Sequence, residues 1–127
     1  MERGDMMVAG IGFRDGATVE ALQDAVRRAA GDSKIHCVAV PWDKAQDEVV
    51  TALAVSLSAG IRPVFASEMK AIQTPTQSAI ALRHRGTGSV AEACALAAAG
   101  QSGQLVTGRV ISGDRMATCA TATKGQR

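Results

Sequence analysis

Aromatic side chains are almost missing from this sequence: Trp42, Phe13 and Phe65 are the only three, and tyrosine is absent. Base stacking on an aromatic platform is therefore excluded, and with it single-stranded nucleic acid as a partner. Paired cysteines are lacking as well. Cys37, Cys94 and Cys119 lie far apart with no C-x-x-C, so neither a zinc site nor a redox pair is indicated, and each reads as a small buried hydrophobe. No segment approaches the roughly 20 apolar residues of a membrane span. The polar start Met1 to Asp5 leads into only a short apolar run, Met6 to Ile11, without the long core of a signal peptide. These absences point to a cytoplasmic chain without a membrane partner. Nucleophile-elbow, P-loop and H-E-x-x-H motifs are missing too, so catalysis has no dedicated signature and no metal or cofactor is expected.

What is present suits one ordinary domain spanning residues 1–127. A chain of this length buries roughly two-thirds of its unfolded surface, enough for a cooperative core. The 46% hydrophobic and 20% charged composition, with a net charge of only +2, excludes wholesale disorder.

Met7 to Gly12 is a compact apolar run ending in glycines, the pattern of a buried strand entering a tight turn. From Thr18, helical spacing puts Val19, Leu22, Ala25, Val26 and Ala29 on one face, and Gly31 stops it. Ile35 to Val40 reads as a second strand closed by Pro41, Ala45 to Ala59 as a helix stopped by Gly60, and Arg62 to Ala66 as a third strand. This alternation predicts parallel pairing with right-handed crossovers. Ser67 starts a brief turn through Ile72. Thr74-Pro75-Thr76-Gln77 then supplies an N-cap, a proline at N1 and a glutamine at N3, predicting a helix to Arg83. A second capping box, Ser89-Val90-Ala91-Glu92, opens an alanine-rich helix that stops at Gly100. Beyond it, Leu105 to Ile111 and Met116 to Thr123 flank the two-residue turn signal Gly113-Asp114, a terminal hairpin with one wet face or edge. Lys124 to Arg127 reads as a frayed tail. The expected fold is a three-layer α/β/α sandwich, with a mainly parallel sheet of about five strands and a C-terminal hairpin.

Three places can hold chemistry. Gly10-Ile11-Gly12-Phe13-Arg14-Asp15-Gly16 lies between a strand end and a helix start, where backbone amides, the helix dipole and Arg14 can receive an anion. Its G-x-G-x-x-x-G spacing misses the dinucleotide fingerprint by one residue, and plain glycine turns explain it equally well. Gly86-Thr87-Gly88-Ser89, preceded by Arg83-His84-Arg85, is a second such nest, or a helix-helix turn capped by Ser89. Trp42-Asp43-Lys44 with Asp47 and Glu48 follows the second strand. Lys44 can face the ligand edge of a parallel sheet there, while Asp43 as a helix cap and Asp47 and Glu48 as dipole partners give a purely structural account. His36, inside a strand run, reads as a core or edge residue.

Taken in order, Gly10 to Gly16, Lys44 with its acidic companions, and Gly86-Thr-Gly-Ser-Val-Ala-Glu92-Ala-Cys-Ala-Leu96 make the chain resemble CobE and the C-terminal domain of CbiG, a family of cobalamin biosynthesis. The resemblance covers nearly the whole chain, and the Gly86 to Leu96 stretch is its most specific part. It implies a three-layer α/β domain working on corrin-ring precursors, tetrapyrroles that are polyanions with an apolar face. In fused family members CbiG opens a lactone on a cobalt-precorrin with loss of a two-carbon fragment; free-standing CobE-like chains have an accessory role in the aerobic route. Asp15 stands where the family usually has a second basic residue, and Cys94 replaces a small apolar one. Asp15 either holds Arg14 or repels a substrate carboxylate.

The resemblance and the residues together suggest an accessory protein that binds a precorrin-type intermediate through Gly10, Gly12, Arg14, Gly16, Lys44, Gly86, Thr87, Gly88, Ser89 and Glu92. The enzymatic rival is hydrolysis of a lactone-bearing precorrin, with Lys44 polarising a carbonyl and Asp47 or Glu48 as base. A nucleotide-binding regulatory module ranks last, given the imperfect fingerprint. Other cobalamin-pathway enzymes and a second copy of the chain are compatible partners. The binding reading requires that the two glycine loops meet at one cleft.

Overall fold

In the computed structural model, residues 6–124 are described, and the sequence readings at Met1 to Asp5 and at the last three residues lie outside them. Strand β1 (Met7–Phe13) is followed by helix α1 (Val19–Ala30), β2 (Cys37–Pro41), one 3-10 turn (Trp42–Lys44), α2 (Glu48–Leu57) and β3 (Gly60–Val64). Helices α3 (Ala66–Ala71), α4 (Ala79–Arg85) and α5 (Val90–Ala99) follow, then strands β4 (Gln104–Ile111) and β5 (Ala117–Thr123). The sheet order is β3-β2-β1-β5-β4. β1, β2 and β3 pair in parallel, as the alternating strand-helix order requires, and β5 lies antiparallel to both β1 and β4.

Period-2 alternation along β1 sorts the two outer layers. Ala9 and Ile11 join the core beneath α1 and α2, with Leu22, Val26, Val50 and Leu53. Burying a side chain such as Leu22 contributes roughly 2 kcal/mol. On the other face Val8, Ala39, Val64 and Met69 pack with Ala93 and Cys94 of α5. α1 forms where the sequence places it: Thr18 accepts from the amide of Ala21, and Gly31, at φ 59°, closes the helix in a conformation that disfavours a side chain.

Several local expectations are corrected. α2 begins at Glu48, capped by Asp47, not at Ala45, because Trp42–Lys44 closes a 3-10 turn first; it ends at Ser58 in the left-handed region, and Gly60 already belongs to β3. The Thr74-Pro75-Thr76-Gln77 capping signal does not start a helix. Ser78 caps α4 instead, since Thr76 is drawn to the buried carboxylate of Glu92 and Gln77 donates back to the Thr74 carbonyl. At Ser89 the cap forms, with Oγ accepting from the Glu92 amide, but the Glu92 carboxylate turns away to Thr76 and Arg109. The hairpin loop has four residues between Ser112 and Ala117, and the positive φ falls on Arg115 (64°), not on Gly113 or Asp114. β5 is an interior strand with Thr121 fully buried. The wet edge is β4, where Val106 is 55% exposed.

His36 sits at the entry to β2, exposed, its Nδ1 accepting from the Met7 amide. Cys94 and Cys119 are buried, and burial pushes both thiols up to about 12, far from thiolate reactivity. Cys37 is half-buried and its thiol is likewise raised by desolvation.

A forked ion pair joins β3 to α3. Arg62 donates to both Glu68 oxygens at 3.0 and 2.7 Å, and Glu68 also accepts from the Phe65 amide. The guanidinium, then that amide, hold the Glu68 carboxyl at about 2 against an ordinary 4.5. Because the folded value is depressed, the stabilisation is present above pH 4.5 and is lost as pH falls toward 2. Melting temperatures of wild type and Glu68→Gln therefore converge as pH falls through that window. A constant gap between them at all pH values would show that this pair does not titrate with folding.

Candidate functional site

The three parallel strands point their carboxyl ends to one edge of the sheet, where open α/β folds place ligands. A cleft of about 590 Å³ lies there. Gly12 to Asp15 leave β1 along its floor, Pro41 and Lys44 bound it on the β2 side, and Ile111 and Met116 to Thr118 bound it on the hairpin side. Ser78, Ile80, Ala81, His84 and Arg85 of the α4 segment form the wall with Val90 of α5. The two glycine loops do not both open on this cleft: Gly12 lines it, but none of Gly86 to Ser89 does. A Cβ on Gly12 would lie 3.4 Å from Val90, so the first glycine loop abuts the opening residue of α5.

The remaining candidate residues fall into layers. Gly10 is inside the sheet, where its missing side chain lets α5 approach, and Gly16, at φ 88°, shapes the loop after the cleft floor. Gly86 ends α4 in the left-handed region. Thr87, Gly88 and Ser89 are buried behind the 74–78 segment: the Gln77 carboxamide packs over Gly88, and the Ser78 amide donates to the Gly88 carbonyl at 2.7 Å. The Thr87 hydroxyl is buried without a hydrogen-bond partner among the described residues. Glu92 is fully buried one layer below the cleft, accepting from Thr76 N at 2.9 Å, Thr76 Oγ1 at 2.8 Å and Arg109 N at 2.9 Å. Asp47 is occupied as the α2 cap, Glu48 is exposed in the first turn of α2, and neither lines the cleft.

Lys44 is the most constrained cation. Its Nζ donates to the Phe13 carbonyl at 2.8 Å and to Asp15 at 3.3 Å, and lies 4.4 Å from the centre of the Phe13 ring. Asp15 thus pairs with Lys44 and holds it at the floor. One ammonium proton remains for a ligand.

Of the five full cations on the cleft, sequence reasoning singled out Arg14 and Lys44, named Arg85 as a neighbour of the second glycine loop, and missed Arg109 and Arg115. Arg85 grips Asp43 in a two-pronged pair at 2.8 and 3.1 Å, and its guanidinium holds the Asp43 carboxyl below the ordinary carboxylate range. Asp43 is therefore a latch between the 3-10 turn and α4, not a helix cap. The signal for Arg109 was one arginine within the otherwise uncharged run Leu105 to Ile111. Arg115 had none, since its place follows from the loop length. Phe13, Pro41, Ile80, Ala81 and Ile111 give the same cleft an apolar lining, and no helix of the described residues is long and apolar enough to cross a membrane.

Comparison with known proteins agrees with this architecture. The chain is similar over its whole length to the crystal structure of CobE, a protein from the cobalamin (vitamin B12) biosynthetic pathway, at 27% identity and a TM-score of 0.86, covering 96% of that chain. It is 34% identical to the cobalamin biosynthesis protein chiG from Agrobacterium tumefaciens str. C58, covering 95% of this chain and 100% of that one at a TM-score of 0.71. A putative cobalamin biosynthesis protein G homolog from Sulfolobus solfataricus, 22% identical, shares the fold with a TM-score of 0.72; the match covers 97% of this chain and 38% of that one. No curated protein matches the chain. The family model described as Cobalamin synthesis G C-terminus matches residues 7–122, and the chain belongs to that family, a protein of cobalamin biosynthesis.

Proposed function

We propose that the chain is an accessory protein that binds a precorrin-type tetrapyrrole intermediate in the cleft at the sheet edge. The observation that carries this is the pairing of five cationic side chains with an apolar lining in one cleft. A corrin precursor has the complementary make-up, with anionic acetate and propionate arms around an apolar ring face. Guanidinium–carboxylate bonds contribute roughly 1.5–3 kcal/mol each, so several arms held at once suffice for tight binding. Binding is favoured over lactone hydrolysis because the proposed bases do not reach the cleft: Asp47 is a helix cap and Glu48 is exposed on α2. The Gly86 to Ser89 loop and Glu92 support the wall from behind in this reading.

Titration with cobyrinic acid, a corrin with free carboxylate arms, followed by absorbance, tests it. Wild type is expected to bind stoichiometrically without turnover. Arg14→Ala lowers affinity about tenfold, the equivalent of one lost charge-assisted bond. Lys44→Ala lowers it less, because Asp15 and the Phe13 carbonyl already hold that ammonium. Equal affinity in all three proteins removes the site. Turnover of a lactone-bearing precursor, with Lys44→Ala losing rate more than affinity, establishes the hydrolase instead.

A further inference from the structure

Positive charge is unevenly available along the cleft. At the β2 end, Lys44 is paired with Asp15 and Arg85 with Asp43. At the hairpin end, Arg14, Arg109 and Arg115 have no carboxylate within ion-pair distance among the described residues. The three belong together structurally. β5 lies between β1 and β4, the Arg14 amide donates to the Met116 carbonyl at 2.9 Å, and Arg115 immediately precedes that residue in the hairpin loop. The acidic residue next to Arg115, Asp114, is turned into its own loop, accepting from Ser112 Oγ at 2.6 Å and the Met116 amide at 3.0 Å, and the one next to Arg14, Asp15, is paired with Lys44. Arg109 is anchored from below, its amide held by Glu92. Apolar lining is present on both sides, from Pro41, Ile80 and Ala81 opposite the hairpin and from Ile111, Met116 and Ala117 beside these arginines, so the asymmetry along the cleft is one of unpaired charge.

We propose that the cleft reads its ligand in one orientation: carboxylates on one edge of the molecule are gripped by Arg14, Arg109 and Arg115, the cations left without an internal carboxylate, while the rest of the ligand extends toward the paired Lys44 and Arg85. The inference rests on the binding reading above and assigns Arg109 and Arg115 as specificity-determining residues. Arg85 is a latch between α4 and the 3-10 turn, already satisfied by Asp43. A guanidinium without an internal carboxylate gains most from a ligand carboxylate, because nothing must be displaced first.

Two probes separate this orientation from the broader reading. In titrations with cobyrinic acid, Arg109→Gln and Arg115→Gln each lose about tenfold in affinity, Arg85→Gln loses less than about threefold, and Arg27→Gln on the outer face of α1 is unchanged. The hydrogen bond that the Arg109 backbone N–H donates to Glu92 survives substitution of the side chain, and thermal melts confirm that each variant is folded. The second probe is mellitate, a benzene ring carrying only carboxylates, followed by NMR. It is expected to shift the amides of 109–117 in wild type and not in the Arg109→Gln/Arg115→Gln double variant. If cobyrinic acid fails to bind while mellitate shifts those amides, the tetrapyrrole reading falls and the charge polarity stands. If cobyrinic acid binds and the two glutamine variants match wild type, or Arg85→Gln loses as much as they do, the orientation is overturned and the binding reading stands. If neither probe binds, both fall.

Discussion

Gly10→Ala is expected to destabilise the protein by about 3 kcal/mol, at the top of the range for overpacked cores, and to lower its melting temperature by roughly 10 °C. The effect is large because the obstacle is backbone. A Cβ at position 10 would lie 2.0 Å from the Ala91 carbonyl oxygen, 2.5 Å from the Ala95 amide nitrogen and 2.9 Å from the Ala95 Cβ. No rotamer change relieves that overlap, so α5 must lift off the sheet along a seam of small residues. Gly10 pairs with Ala120 of β5 and Ala39 of β2, and paired residues share a face, so the seam runs across three strands. Gly60→Ala is the matched control. Its Cβ would meet nothing within 4 Å, and its melting point should stay within about 2 °C of wild type. Equal melting of the Gly10 and Gly60 variants would mean that α5 does not approach the sheet this closely.

The second large effect belongs to Glu92. Its carboxylate is fully buried and makes no ion pair among the described residues; three donors and the positive end of α5 support its charge. Glu92→Leu strands the Thr76 amide, the Thr76 hydroxyl and the Arg109 amide together, a loss of about 3–5 kcal/mol. Glu92→Gln is expected to cost about 1–2 kcal/mol, since its NH2 must face one of those donors. Both substitutions loosen the same two places, the 74–78 segment in front of Gly88 and the Arg109 strand. Hydrogen exchange is the informative measurement, with the amides of Thr76 and Arg109 losing protection first. Unchanged protection in Glu92→Gln would show that the carboxylate does not tie the two cleft walls together.

Glu92 also shows where local sequence logic stops. Ser89 and Glu92 have capping-box spacing, and Thr74 and Gln77 imitate it. Each signal is defined by what a side chain can reach within its own turn. The fold offers Glu92 better partners from residues 16 and 17 positions away, so the first box is half formed and the second gives no helix. The hairpin behaves similarly. Gly113-Asp114 advertises a two-residue turn, but Ser112 and Ala117 close the loop around four residues, and the left-handed conformation falls on Arg115. That shift puts an arginine on the cleft that no motif marks.

Period, glycine stops and the strand-helix alternation, all short-range properties of the chain, sufficed to determine the α1 face, the parallel β1-β2-β3 unit and the terminal antiparallel pair, while the motifs Gly10 to Gly16 and Gly86 to Leu96 carried the family resemblance. The insertion of β5 between β1 and β4, and the company Arg14 keeps with Arg109 and Arg115, were decided only by the tertiary structure. Strand order is settled by competition between distant faces for burial, as when Ala117 and Cys119 join the α1 core while Ala122 meets α5, and that contest leaves no periodic trace in the sequence.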